Sequence, residues 1–217
     1  PPLPEVIAVG DDGLVLEWVE PGRPSPAAAE QFGRSLATLH RDGAGDRYGA
    51  DAAGFIGRRP LDNTPTGDWP EFYRQRRLAP YLAAAVDRHA MADDDRRAVE
   101  TVMDRLPDLA GPTEPPARIH GDLWSGNLLW GADGAVWLID AAAAHDGHRE
   151  TDLAMLALFG APHLDAIVAA YDAVAPLAAG WRERVPLHQL HPLLIHAAHF
   201  GGHYGAAAGA AARAMLR

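Results

Sequence analysis

Apolar and polar positions along the chain divide it into two textures. Residues 6–9 (VIAV) and 14–19 (LVLEWV) are β-rich runs on either side of Gly10-Asp11-Asp12-Gly13, which predicts a hairpin. A proline-punctuated linker follows, and Ser25-Pro26 reads as an N-cap with proline at the first helical position. Phe32, Leu36 and Leu39 then recur at helical spacing, predicting an amphipathic helix that ends near Gly43. Residues 43–68, rich in Gly, Asp, Pro and Asn, read as one long loop, and loops of that length in compact domains are often functional. Residues 69–90 read as a helix kinked by Pro80, and 93–106 as a second helix whose Asp93-Asp94-Asp95 start is a solvated cap.

The texture changes after a second linker at 111–116. Ile119 leads into His120-Gly121-Asp122-Leu123-Trp124-Ser125-Gly126-Asn127. A short apolar run at 128–130, a turn at 131–134 and another apolar run at 136–139 then predict a buried hairpin. Helical patterns return at 150–159, 163–175, 187–203 and 205–216, with no internal repeat. The order is a small hairpin, helices, a buried hairpin flanked by polar residues, then more helices, which is an α+β class with α dominant.

Composition narrows the classes. The chain has 217 residues, 48% hydrophobic and 22% charged, which is globular and enough for one large domain or two small ones. With 19 basic and 29 acidic residues the net charge is −10, which argues against nucleic acid as a partner. Cysteine is absent, excluding disulfides and thiolate metal sites. No apolar run reaches the roughly 18 residues of a bilayer span, and no secretion signal is visible. The expected setting is therefore cytoplasmic, with no membrane partner. Lysine is absent too, so every basic residue is arginine. The chain opens on Pro1 rather than Met, and is expected to be a fragment or a trimmed form.

Asp122, Asn127 and Asp140 are polar residues where apolar ones are expected. A hairpin from Leu128 to Ile139 brings Asn127 and Asp140 together, with Asp122 on the preceding loop. Two carboxylates and an amide converging there carry a desolvation cost unless a cation sits among them. Hard oxygen donors of this kind suit Mg²⁺ shared with phosphate oxygens. His120-x-Asp122 with Asn127 five residues on has the spacing of the kinase catalytic loop, in which the Asp takes the proton of the attacking hydroxyl and the Asn holds metal. Asp140, at the end of the next strand, takes the place of the metal-binding Asp.

At these residues the sequence resembles the fructosamine kinase (ketosamine-3-kinase) family, relatives of aminoglycoside and choline kinases in the protein-kinase-like superfamily. The string His120 to Asn127 with its Leu-Trp-Ser-Gly insert carries the resemblance. Gly33 to His40, Asp62-Asn63 through Trp69, Gly147 to Glu150 with Asp152 to Met155, and the stretches at 189–194 and 200–204 support it. The resemblance implies transfer of the ATP γ-phosphate to a sugar hydroxyl of a ketosamine, with Asp122 as base and Asn127 and Asp140 holding Mg²⁺. Glu17, Trp18 and Val19 would form the hinge whose backbone meets adenine. His120, Trp124, His148 and Glu150 are candidate substrate residues. Residues 1–19 would be a remnant of the small nucleotide lobe, and 20–217 the large lobe. The N-terminal lobe, with its lysine–glutamate pair, is expected to be largely absent from this chain, leaving weak ATP binding and poor turnover. The sequence departs from the family at Asp140-Ala141-Ala142, where Asp-Pro-Ala is usual, and at His145-Asp146, where an aromatic residue is common.

Other features have plainer readings. His196, His199 and His203 share a helical face, with His188 and His191 upstream; lining or supporting the acceptor pocket, or packing, is favoured over a metal site. Trp124 stacks on the acceptor or anchors its loop, whereas Trp18, Trp69, Trp130 and Trp137 read as core or hinge packing. Arg149 and Asp152 form either an ion pair behind Asp122 or a surface helix cap. The competing functions are an aminoglycoside or other small-alcohol phosphotransferase on the same scaffold, and an inactive large-lobe fragment or pseudokinase.

Overall fold

The computed structural model describes residues 1–11, 13–57 and 59–217. Strands β1 (Val6–Gly10) and β2 (Gly13–Leu16) pair antiparallel, as the apolar runs predict. Asp12, within the predicted turn, lies outside the described residues. Every described residue of this hairpin is exposed, including Ile7, Val9 and Leu14, so its apolar side chains have no cover among the described residues.

Helix α1 (Pro26–Asp42) starts where Ser25 accepts the Ala28 N–H and Pro26 fixes the first turn. The loop expected over 43–68 contains a small hairpin, β3 (Gly54–Ile56) with β4 (Arg59–Leu61). Each strand is only three residues long, too short for a visible alternation. The predicted kinked helix is α2 (Trp69–Phe72), a π-helical stretch Tyr73–Leu78, and α3 (Ala79–Asp87). Pro80 has no N–H to give and crowds the preceding turn, and the Ala79 N–H reaches back to the Arg74 carbonyl instead. α4 (Asp93–Asp104) and the single turn α5 (Leu106–Leu109) follow.

Strand β5 (Ala117–Ile119) precedes the loop to Asn127. β6 (Leu128–Trp130) and β7 (Val136–Leu138) form the predicted hairpin, with Leu128 opposite Leu138. β8 (His145–Gly147), not anticipated from the sequence, pairs antiparallel with β5 and returns the chain alongside the loop's entry. α6 (Glu150–Phe159), α7 (Leu164–Val174), α8 (Trp181–Phe200) and α9 (Tyr204–Met215) complete the chain. α8 begins six residues earlier than predicted and carries Pro186 and Pro192 inside it.

Two apolar clusters hold these parts together. One gathers Phe32, Leu36, Leu128, Leu138, Leu153, Ile167 and Tyr171, joining α1, the β6–β7 hairpin, α6 and α7. The other gathers Tyr73, Leu78, Val99, Val102, Leu187, Leu190 and Leu194 beneath α8 and α9. Leu123, the residue after Asp122, is fully buried in the first cluster, so the loop is anchored by a core side chain. Leu123→Ala is expected to cost about 2–5 kcal/mol of stability, read as a lower urea midpoint at constant slope. A change below 0.5 kcal/mol would show that the loop is held by other means.

Candidate active site

The loop between β5 and β6 is built on one buried carboxylate. Asp152 of α6 is 0% exposed. Its Oδ2 accepts the His120 N–H at 2.8 Å and its Oδ1 the Gly121 N–H at 3.0 Å. His40, at the end of α1, places Nε2 3.1 Å from Oδ2 and Nδ1 2.8 Å from the Tyr171 hydroxyl. Burial raises the Asp152 carboxyl, but the His40 contact and the donated N–H outweigh it and hold it below its ordinary value. Gly121 serves this geometry, since its φ is +82° and a Cβ there would strike the Ala143 carbonyl.

His120 joins the loop to the hairpin. Its Nε2–H donates to the Ile139 carbonyl at 2.8 Å, which leaves Nδ1 to accept the Asp122 N–H at 3.3 Å. The loop then folds back: the Asn127 amide donates to the Asp122 carbonyl at 2.8 Å, and Ile139 N–H donates to the Asn127 carbonyl at 3.2 Å. The amide orientation follows from its partner, because a carbonyl can only accept. It leaves the Asn127 Oδ1 without a protein donor among the described residues. Asp140, directly after Ile139, is exposed and takes a left-handed conformation at φ +57°. That is an uncommon backbone for a residue with a side chain, and such conformers cluster at functional sites. Burial raises the Asp122 carboxyl above its ordinary value; His120 pulls it down and Asp140 pushes it up, so the two carboxylates are within electrostatic reach. The structure thus brings Asp122, Asn127 and Asp140 together.

Asp122 opens onto two adjoining cavities. One, of about 160 Å³, lies between the β3–β4 hairpin, α6 and α8, lined by Ile56, Thr151, Met155, His191, Ile195 and His196 among others. The second, about 460 Å³, adds Trp124, Phe159 and Tyr204. Trp124 is 40% exposed and edge-on to Phe159, and a side chain at Gly126 would collide with its ring. His196 and His199 face this region while His203 stacks on Tyr204 instead. Asp122 is the only carboxylate lining either cavity among the described residues.

Other predicted residues lie elsewhere. His120 is 3% exposed and acts on the loop backbone rather than in a cavity. His148 and Glu150 are buried away from Asp122: both Glu150 oxygens bind Arg184, at 2.5 and 2.9 Å, and His148 packs against Trp69 and His188. His148, Glu150 and His188 have ligand atoms within 4.8 Å of one another. The guanidinium already neutralises the carboxylate, so the group is an ion-pair network rather than a cation site. Arg149 does not meet Asp152; it pairs with Glu114, Nη2 to Oε1 at 2.7 Å. Glu17 to Val19 line neither cavity: Glu17 N–H donates to the Glu5 carbonyl, and the residues just after them meet the β6–β7 hairpin, Gly22 N–H donating to the Trp130 carbonyl and Ala132 N–H to the Glu20 carbonyl. Trp18 is 77% exposed rather than packed.

Sequence reasoning offered Asp152 as support behind Asp122, but with Arg149 as its partner; it missed His40 in that role, and Thr151, Met155 and Ile195 as cavity walls. A signal existed for Asp152, an acid set in the apolar run of α6, but nothing linked it to His40, 112 positions away. Asp152→Ala strands two backbone N–H groups and His40 and is expected to cost about 3–5 kcal/mol, measured by denaturant unfolding. A loss under 1 kcal/mol would show that the carboxylate does not hold the loop.

Residues 3–217 match the family model described as fructosamine kinase. The chain is 34% identical over 211 residues to the probable ketoamine kinase of Synechocystis sp., covering 97% of this chain and 70% of that protein. A solved structure from Thermobifida fusca, described as a fructosamine-3-kinase, is 54% identical with a TM-score of 0.93, covering 99% of this chain and 73% of that one. The choline kinase LicA of Streptococcus pneumoniae, 17% identical, superposes with a TM-score of 0.62 over 99% of this chain and 75% of its own. At that identity the likeness speaks for the fold alone, and the fold is the protein-kinase-like α+β arrangement expected from the sequence. On the match from residue 3 to the last, this chain belongs to the fructosamine kinase family.

Proposed function

We propose that the chain carries the acceptor and catalytic half of an ATP-dependent kinase that phosphorylates a sugar hydroxyl of a ketosamine. The observation that carries this reading is the Asp122 carboxylate at the junction of two cavities lined by no other acid among the described residues. A carboxylate with a raised pKa is a stronger base toward an alcohol. In the proposed step the acceptor O–H bond breaks as its oxygen attacks the γ-phosphorus. The proton passes to Asp122, the new O–P bond forms, and the bond to the bridging oxygen of the leaving ADP breaks.

Asn127 Oδ1 and the Asp140 carboxylate are the oxygen donors that fit Mg²⁺, being hard, adjacent and without a cationic partner among the described residues. When bound, the ion neutralises charge developing on the phosphates. Glu17 to Val19, just before the residues that bond the β6–β7 hairpin, are the proposed adenine hinge, and residues 1–19 the edge of the nucleotide lobe. The uncovered apolar face of β1–β2 supports that placement. Trp124 is the proposed stacking surface for the sugar. A polycationic aminoglycoside would need acids along the cavity walls, and among the described residues those walls supply none beyond Asp122.

Two measurements test this. On the full encoded polypeptide, ADP release should require both fructose-lysine and Mg²⁺. It should stop with EDTA and fall about 10²–10⁴-fold in Asp122→Asn. Preference for an aminoglycoside, or full activity in that variant, overturns the reading. Asp122 also makes a stability prediction. Its carboxyl is raised in the fold, so the ionised form destabilises the fold at neutral pH, and stability is regained as pH falls through the raised value. Asp122→Asn should therefore raise Tm at pH 7 by about 1–3 °C, and that gain should shrink on acidification. A lowered Tm would show that the carboxylate is a structural asset.

A further inference from the structure

Thr151, in the first turn of α6, lines the smaller Asp122 cavity. Its hydroxyl lies 3.0 Å from His188 Nδ1. His188 is 1% exposed, and its Nε2 lies 3.3 Å from Glu150 Oε2, off the line of a good hydrogen bond and with no better partner among the described residues. Glu150 is in turn clamped through both oxygens by Arg184. A buried chain of Arg184, Glu150, His188 and Thr151 thus ends at the cavity wall.

The protons on that chain can be placed. Burial lowers the His188 imidazole, so it is neutral at pH 7. Burial pushes the Glu150 carboxyl up, but His188 and Arg184 outweigh it and hold it at about 2, so it is ionised. A neutral imidazole has one N–H, and a carboxylate only accepts. The proton therefore sits on Nε2, toward Glu150, and Nδ1 is left as an acceptor. The Thr151 O–H must donate to Nδ1. What remains for a molecule in the cavity is the lone pairs of the Thr151 oxygen, which accept and do not donate.

We infer that Thr151 is an acceptor-binding residue: its hydroxyl, locked toward His188, accepts a hydrogen bond from a second hydroxyl of the phosphate acceptor while Asp122 addresses the reacting one. The inference rests on the reading of Asp122 as the base of a sugar kinase, and it specifies the acceptor further. The site takes a polyol presenting two hydroxyls to one cavity, rather than a lone alcohol on an otherwise apolar or cationic molecule. His188 is a positioning residue in this scheme, since it fixes the direction of the Thr151 O–H without touching the acceptor.

The test is nucleotide-free calorimetry with fructose-lysine on the full encoded polypeptide, alongside steady-state kinetics. Thr151→Val keeps the shape and removes the hydroxyl. It should weaken binding about tenfold, the upper end for one hydrogen bond, and raise KM by the same factor with kcat within about threefold. Thr151→Ser restores the hydroxyl and should return affinity to within about twofold of wild type. Unchanged affinity in Thr151→Val overturns the inference, and so does Thr151→Ser binding as weakly as Thr151→Val, which would show that the methyl group rather than the hydroxyl matters. Wild-type protein that binds fructose-lysine without ADP release sinks the phosphotransfer reading yet leaves the Thr151 comparison intact. Failure of the wild type to bind fructose-lysine counts against both.

Discussion

The Asp152 carboxylate is the constraint on which the site depends. A charge with no exposed surface is tolerated only when donors surround it. Here two of the donors are consecutive backbone N–H groups of the loop that carries Asp122, and a third partner is His40 on α1. The requirement works in both directions. The carboxylate keeps its ionised form because the loop supplies its N–H groups, and the loop keeps its path because leaving those groups unpaired beside a buried charge is costly. Leu123 adds an apolar anchor from the same loop, so backbone and side chain are pinned to different elements of one core.

From that fixed point the rest of the site follows by register. His120 ties the Asp122 N–H to the Ile139 carbonyl, and Ile139 is paired to Asn127. Asp140 is one residue beyond. The positions of Asp122, Asn127 and Asp140 are therefore set by hydrogen bonds that do not use the carboxylates or the Asn127 side-chain Oδ1 themselves. The groups left over are the ones with reactive character: a carboxyl raised by burial and by its neighbour, an amide oxygen with no protein donor among the described residues, and a carboxylate on a left-handed residue. Such features lower stability where they stand, and the well-packed surroundings offset the cost.

Much of this was legible in the sequence because it is local. Ser25-Pro26 marks the start of α1 by capping chemistry, and the two apolar runs around 131–134 mark the hairpin that places Asn127 beside Asp140. The spacing from His120 to Asn127 is a chemical pattern that survives without any knowledge of packing. What escaped was set by distance in the chain. β8 pairs with β5 across more than twenty intervening residues and has only three of its own, so its strand character comes from its partner. β3 and β4 pair locally, Ile56 opposite Arg59, and escaped only because three residues each are too few to show an alternation. His148 and Glu150 read as site residues because they sit in a motif-bearing stretch, whereas tertiary packing turns them toward Arg184 and Trp69. Arg149 read as a partner for Asp152 from sequence proximity, yet a three-residue offset on a helix does not decide where a long side chain finds its acid.

Helix α6 shows why proximity in sequence misleads there. Successive residues on a helix are turned by about 100°, so Glu150, Thr151 and Asp152 leave the first turn in three directions. Glu150 meets Arg184 and His188 in the interior, Thr151 reaches a cavity wall, and Asp152 takes the loop that carries Asp122. The positive end of the helix favours acids in that turn, which suits the first and third. Between them, position 151 bears neither the charge that holds the loop nor the charge that holds α8. It is therefore the one position of the three where a side chain can change what the cavity accepts without dismantling the support of Asp122. On the proposed reading, acceptor choice and loop geometry are separable because one turn of helix assigns them to neighbouring residues that point apart.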